Sequence, residues 1–270
     1  MRKLFILMMC FGTALICSDS MAQQPASKDG QGGKKPAISP KLKAFLAAQD
    51  LDDVGDAREE IKTPLAAEDA AAVRSVIKQW DNPQAVSNLL NHASLIPEDV
   101  RLVSLFRGLA ERKVPYYNLA AILGIQDIDV DKLSKKDRKR VAQELMAAIR
   151  KTSDVRAARA CTLITEYVSE NETPQLIALL EHTNDTVRQN LRAKLFPRYK
   201  DRGVDAYAAE VRKTGLAVAA QDRLISQFKD WHAKPTDIPT LFAYIPNFRD
   251  FKPSEEPGIA DRATKTPGEK

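Results

Sequence analysis

Three histidines, three cysteines, two acid-rich stretches and one dense cationic run are the residues of this 270-residue chain that could do chemistry. His92, His182 and His232 stand far apart and lack a zinc-binding spacing such as HExxH. Cys161 falls within the apolar stripe of "VRAARACTLI" and reads as a core residue, not as a nucleophile. "DLDDVGDAREEI" (50–61) has acids at the first and third positions of a calcium loop and Gly55 at the sixth. Val54 and Ile61, however, fill the fifth and twelfth, where oxygen ligands belong. "DIDVDKLSKKDR" (127–138) puts Lys132 in the glycine position and Arg138 in that of the bidentate glutamate. Both stretches read as polar turns. No Gly-rich phosphate loop and no G-x-S-x-G elbow occurs. The sequence therefore assigns no catalytic residue, no metal ligand and no cofactor.

The cationic run is "KKDRKR" (135–140). Ser134 and Asp137 form the start of a capping box ahead of "VAQELMAAIR", which makes the run the exposed first turns of a helix. It reads either as a solvated face or as a contact in which Lys135, Lys136, Arg138, Lys139 and Arg140 meet an acidic protein surface, anionic lipid or cell-wall polymer. "IPTLFAYIPNFRDF" (238–251) gathers Phe242, Tyr244, Phe248 and Phe251 in a chain that is only 6% aromatic, and its two prolines disfavour a long helix. It reads as a cap over the last helices or, if exposed, as a docking peptide.

These residues must be carried by something, and the ends of the chain bound where. Arg2 and Lys3, the 14-residue run "LFILMMCFGTALIC" and the small residues Ser20 and Ala22 predict a signal peptide, residues 1–22, cleaved between Ala22 and Gln23. The apolar run is too short for a spanning helix, so no transmembrane segment is expected after cleavage, and the mature chain is expected in the periplasm or secreted. Cleavage removes Cys10 and Cys17 and leaves Cys161 without an internal disulfide partner. It also removes Arg2, Lys3 and Asp19, lowering the formal charge from +5 to +4. That balance suits an acidic protein partner, and no nucleic acid is expected in the exported compartment. Residues 23–38 are a Gly-, Pro- and Lys-rich tether, residues 252–270 a polar tail with three prolines, and 39–251 the folded part.

That middle is all-α by its periodicity. Apolar residues recur three and four apart, as in Val86, Leu89, Leu90 and Leu102, Leu105, Phe106, Leu109, and two-residue alternation is not sustained. Pro40, Pro64, Pro83, Pro97, Pro115 and Pro174 sit where a first helical turn should start; Ser39, Thr63, Asn82 and Thr173 precede four of them as N-caps. Gly124 and Gly215 occupy expected left-handed helix ends.

"LIALLEHTNDTVRQNLRAKL" (176–195) breaks its leucine ladder over a polar turn, as two short helices folded together would. Segments 83–109, 141–164 and 174–195 share this plan: an apolar helix, a turn with Asp99, Asp154 or Asp185, then Val100–Arg101, Val155–Arg156 or Val187–Arg188, and a second apolar helix. The acid is expected near the start of the second helix, the valine to begin its buried stripe, and the arginine to reach an acid of the adjacent unit. The pattern resembles the HEAT-repeat family, clearly over about 84–195, with weaker copies at 70–80 and 216–231. The resemblance implies a right-handed α-α superhelix of short antiparallel hairpins whose second helices line a concave face that grips another macromolecule; a compact, non-repeating bundle is the alternative. It implies no reaction. The leading expectation is an exported, non-enzymatic protein–protein interaction scaffold; the alternatives are a helical-scaffold enzyme of cell-wall or lipid metabolism and a nucleic-acid binder using Arg101, Arg107, Arg156, Arg159, Arg188 and Arg192.

Overall fold

Apolar stripes of this length bury themselves only against other helices, and the computed structural model shows how. It describes residues 38–111, 113–241 and 250–252. The expected signal with its Ala22–Gln23 junction, the tether up to residue 37, residues 242–249 of the aromatic segment and the tail from residue 253 lie outside them. Among the described residues twelve α-helices form and no strand does, so the all-α reading stands. In chain order they are α1 (Pro40–Ala47), α2 (Leu51–Glu59), α3 (Ala67–Gln79), α4 (Pro83–Asn91), α5 (Glu98–Ala110) and α6 (Pro115–Gly124). There follow α7 (Lys135–Lys151), α8 (Val155–Tyr167), α9 (Thr173–Ala178), α10 (Asp185–Tyr199), α11 (Gly203–Arg212) and α12 (Val218–Ala233).

Local chemistry sets most starts. The Ser39 hydroxyl accepts from the Leu42 N–H at 3.3 Å and the Asn82 carbonyl from the Ala85 N–H at 3.1 Å, each followed by proline in the first turn. Pro115 opens α6 with the same preset φ, but Val114 before it offers no side-chain cap. Three expectations need correction. Pro64 lies in the loop before α3, which starts at Ala67, so Thr63 caps nothing there. Pro97 is itself the N-cap of α5. Thr173 is the first residue of α9, with Glu172 before it, because a 3-10 turn capped by Ser169 runs directly into the helix.

The pairing of helices follows the sequence plan in part. α7 packs closely on α8, as segment 141–164 requires; in segment 174–195, α10 packs on the 3-10 turn Leu179–Glu181, while α9 packs on α11, and α8–α10 and α11–α12 are further close pairs. Segment 83–109 does form helix, turn and helix. Yet α4 and α5 meet only lightly, and each packs extensively on α6. Helix α6 therefore completes that unit. Two glycines make room for it. A Cβ on Gly124 would sit 1.7 Å from the Leu90 carbonyl oxygen, and one on Gly108 2.7 Å from the Ala121 Cβ. Gly124 has φ −69°, so it is required by close approach and not by a left-handed turn; Gly215, at φ +74°, is the left-handed end expected of it.

The successive contacts α1–α4, α4–α6, α6–α8 and α8–α10 share one core. Leu89, Leu90, Ile122, Cys161, Ile164 and Leu191 are all 0% exposed along it. Each such aliphatic side chain contributes roughly 1.5–3 kcal/mol relative to its exposed state. At the C-terminal end aromatic rings take over: Phe196 of α10 lies edge-on to Tyr207 of α11 and Phe228 of α12, with centroids 5.9 and 5.2 Å away.

Candidate interaction site

The Asp-Val-Arg signature has a local job. Asp154 is the N-cap of α8, accepting from the Arg156 N–H at 2.9 Å, and it also pairs with the Arg156 guanidinium at 2.8 Å in a nearly buried position. Arg101 donates to the carbonyls of Ile96, at 2.9 Å, and Ser94, and Arg188 to those of His182 and Thr183. Arg188 also meets Asp185, one turn back on the same helix. The expectation that these arginines reach an acid of the adjacent unit is therefore corrected. They staple the turn before their own helix, since that turn ends in carbonyls with no helical partner. Asn184, not Asp185, caps α10, accepting from the Val187 N–H at 3.3 Å. Asp99 caps nothing with its side chain; it takes a bidentate pair from Arg74 of α3 at 2.9 and 3.1 Å. Val155 and Val187 are buried as expected, whereas Val100 is half-buried.

The cationic run forms the first turns of α7. Ser134 accepts from the Asp137 N–H at 3.1 Å and donates its hydroxyl to the Asp137 carboxylate at 2.6 Å. Lys135, Lys136, Lys139 and Arg140 are exposed. Arg138 is half-buried and donates to the Glu166 carbonyl at 2.6 Å, and the Arg140 guanidinium lies 4.1 Å from the centre of the Phe106 ring. Three lysines thus project as a compact basic corner, with the two guanidiniums folded back onto the body.

A second feature, which the sequence reading missed, runs across α12, α10 and α8. After α12 the chain turns back without helix or strand, and side chains of α10 and α12 hydrogen-bond to its backbone. The Trp231 indole N–H donates to the Thr236 carbonyl at 2.8 Å, and the Gln189 amide to the Pro239 carbonyl at 2.9 Å. Asn190 takes Leu241 by both ends: its carbonyl accepts from the Leu241 N–H at 2.7 Å and its amide donates to the Leu241 carbonyl at 2.8 Å. The same amide reaches the Ala158 carbonyl of α8 at 3.3 Å, and Asn190 is 0% exposed. Ile238 packs against the core and lines, with Phe196, Arg192 and Trp231, a groove of about 490 Å³ between α10 and α12. Further along, Phe251 places its ring 5.5 Å from the Arg156 guanidinium. The described ends of segment 238–251 therefore lie against the helices. A polar residue at a buried helical position was the one available signal, and Asn190, between Gln189 and Leu191, supplied it.

Other chemistry-bearing residues are occupied structurally. Cys161 is fully buried, with Sγ 3.8 Å from the Val187 carbonyl, and burial pushes its thiol well above the ordinary value. The His182 ring bridges two turns: Nε2 donates to the Thr152 carbonyl at 2.9 Å, which leaves Nδ1 to accept the Asn184 N–H at 3.0 Å. Burial lowers the pKa of His182, and also that of His92, whose ring stands edge-on to Phe45. Most of the 50–61 stretch is α2, capped by Asp50, whose carboxylate accepts from the Asp53 N–H at 2.8 Å. Asp53, Asp56 and Glu60 line an open groove of about 410 Å³ with Lys41, and the neighbouring Asp50 carboxylate raises the Asp53 pKa. In the 127–138 stretch, Asp127 accepts from the Ser94 N–H at 2.8 Å and Asp129 from that of Asp131 at 3.1 Å. Two of the arginines considered for nucleic acid have partners within the chain: Arg107, though exposed, stacks on Trp80 at 4.1 Å, and Arg192 donates to Gln227 at 3.0 Å. Comparison with known protein families, curated proteins and solved structures finds no match to this chain.

Proposed function

We propose that this chain is an exported, non-enzymatic interaction scaffold: a HEAT-like stack of helix pairs that presents its surface to a protein partner of acidic character. The observation that carries the reading is the succession of side-by-side contacts α4–α6–α8–α10, each helix backed by a neighbour, which builds one continuous surface from units too small to stand alone. Uneven units and stapling arginines are compatible with such a stack, because each staple acts within its own unit. The basic corner at Lys135, Lys136 and Lys139 supports an acidic partner, since those ammonium groups are exposed while most nearby guanidiniums are engaged. No described helix is long and apolar enough to cross a membrane. Export rests on the charged start, apolar core and Ser20/Ala22 pattern of residues 1–22.

One experiment addresses both parts. The full chain, produced with its own leader and recovered from the cell envelope of a bacterial host, serves as bait for envelope extract. The bait carries Gln23 as its first residue, and a partner retained by it is lost when Lys135, Lys136, Arg138 and Lys139 are all changed to Glu. Equal retention by the charge-reversed bait discards the basic contact. A bait that retains nothing discards the scaffold reading, and an uncleaved Met1 terminus discards export.

A further inference from the structure

The clamp on residues 236–241 has no preference for side chains. Trp231, Gln189 and Asn190 each bind a carbonyl, and Asn190 also takes an N–H. Bonds of this kind suit any extended polypeptide, because every residue carries the carbonyl and every residue except proline the N–H. Such a segment exposes its backbone, so it needs partners from outside itself; here α10 and α12 supply them. Apart from the backbone bonds, the segment packs the half-buried side chain of Ile238 against the core, at the edge of the groove between α10 and α12. Leu241 is 40% exposed, so the residue gripped most completely by its backbone contributes little by its side chain. Asn190 would be costly to bury without a partner: an unpaired amide in such a place costs roughly 1–3 kcal/mol. A buried amide that spends both ends on an exposed strand is what a backbone-reading site requires.

We propose that the face formed by α8, α10 and α12 is a binding site for an extended polypeptide, and that residues 236–241 occupy it as an intramolecular stand-in that a partner's segment displaces. The partner segment is extended, non-proline at the position gripped by Asn190, and carries a branched aliphatic residue three positions earlier, where Ile238 sits. The inference rests on the scaffold reading and deepens it, by naming what the surface takes. The resident segment has the advantage of tethering: joined to α12 by a few residues, it presents itself at an effective concentration in the millimolar range. A free segment therefore binds the intact protein weakly and binds well once the tethered one is disabled.

The test uses full-length protein and a fluorescent peptide with the sequence of residues 235–252. Ile238→Asp with Leu241→Pro in the protein removes the embedded side chain and the donated N–H without altering any helix. This variant binds the peptide at least tenfold more tightly than the unaltered chain. Adding Asn190→Ala to it abolishes the gain, and a peptide carrying the Leu241→Pro change does not bind. Circular dichroism and melting of each variant confirm the helices, and Leu241→Pro in the peptide alone repeats the test with no altered protein fold. Equal binding by the unaltered and double-variant chains, or no binding to either, overturns the proposal. Sedimentation of the unaltered chain as a dimer that the Ile238→Asp/Leu241→Pro change dissolves would place a second copy's segment in the face and overturn the intramolecular contact. None of these outcomes bears on the basic corner of α7, whose charge-reversal test judges the scaffold reading separately.

Discussion

His182 shows how a residue with catalytic potential becomes structural. Its ring sits at 0% exposure and joins the end of α7 to the turn before α10, with one nitrogen donating and the other accepting. Protonating Nδ1 would destroy the acceptor for the Asn184 N–H and place a cation beside Arg188. The folded pKa is lowered, chiefly by burial. The unfolded chain therefore takes up the proton first as pH falls. Stability is full above the ordinary histidine pKa of about 6.5 and is lost on acidification from there down through the lowered value. His92, lowered for the same reason, adds to the loss. The melting temperature accordingly falls between pH 7.5 and 5. His182→Gln starts about 1–2 kcal/mol less stable at pH 7.5, from its poorer bridging hydrogen bonds, and shows a shallower acid slope. A slope unchanged by the substitution would contradict this role. The sequence showed that His182 lacks zinc spacing, but its bridging role depends on carbonyls 30 residues away and could not be read.

Glycine decides how three helices meet. Gly124 closes α6 against the Leu90 carbonyl of α4, and a methyl group there would overlap an oxygen that belongs to helix backbone. Gly124→Ala is expected to cost about 3 kcal/mol or more, since helix backbone gives way less readily than side chains. Gly55 lies inside α2, and a methyl group added there would meet nothing within 4 Å, which gives the opposite sign: Gly55→Ala stabilises by roughly 0.5–1 kcal/mol. Urea unfolding of both variants measures the contrast, and like signs would contradict it. Helix positions were legible because they depend on local matters: the period of Val86, Leu89 and Leu90, the caps Ser39 and Asn82, and prolines with a preset φ. Helix partners were less so. Segment 83–109 shares the Asp99-Val100-Arg101 plan of the other two units, yet its helices pack chiefly on α6. The determinants, Gly108 and Gly124, leave no mark on hydrophobic period. Reading Gly124 as a turn residue was reasonable at a helix end and wrong about the cause.

At the scale of the whole molecule, the helices cohere through one shared core, and the surface they build has two distinct features. The basic corner on α7 was visible in the run "KKDRKR", since charge needs no fold to be counted. The backbone clamp was not. It draws Trp231, Gln189 and Asn190 from two helices onto a segment some 50 residues further on from α10, and only the fold brings them together. The aromatic residues of 238–251 attracted notice in the sequence, whereas the described contacts at its start are made mostly by backbone. An extended strand held this way stays put only while Asn190 holds it, so exchange of the Leu241 amide hydrogen with solvent deuterium reports the grip directly. In the full-length protein this amide is expected to exchange at least tenfold more slowly than in an unstructured peptide of the same sequence, and Asn190→Ala is expected to erase the difference. A Leu241 amide that exchanges at the free-peptide rate in the unaltered protein would contradict the clamp.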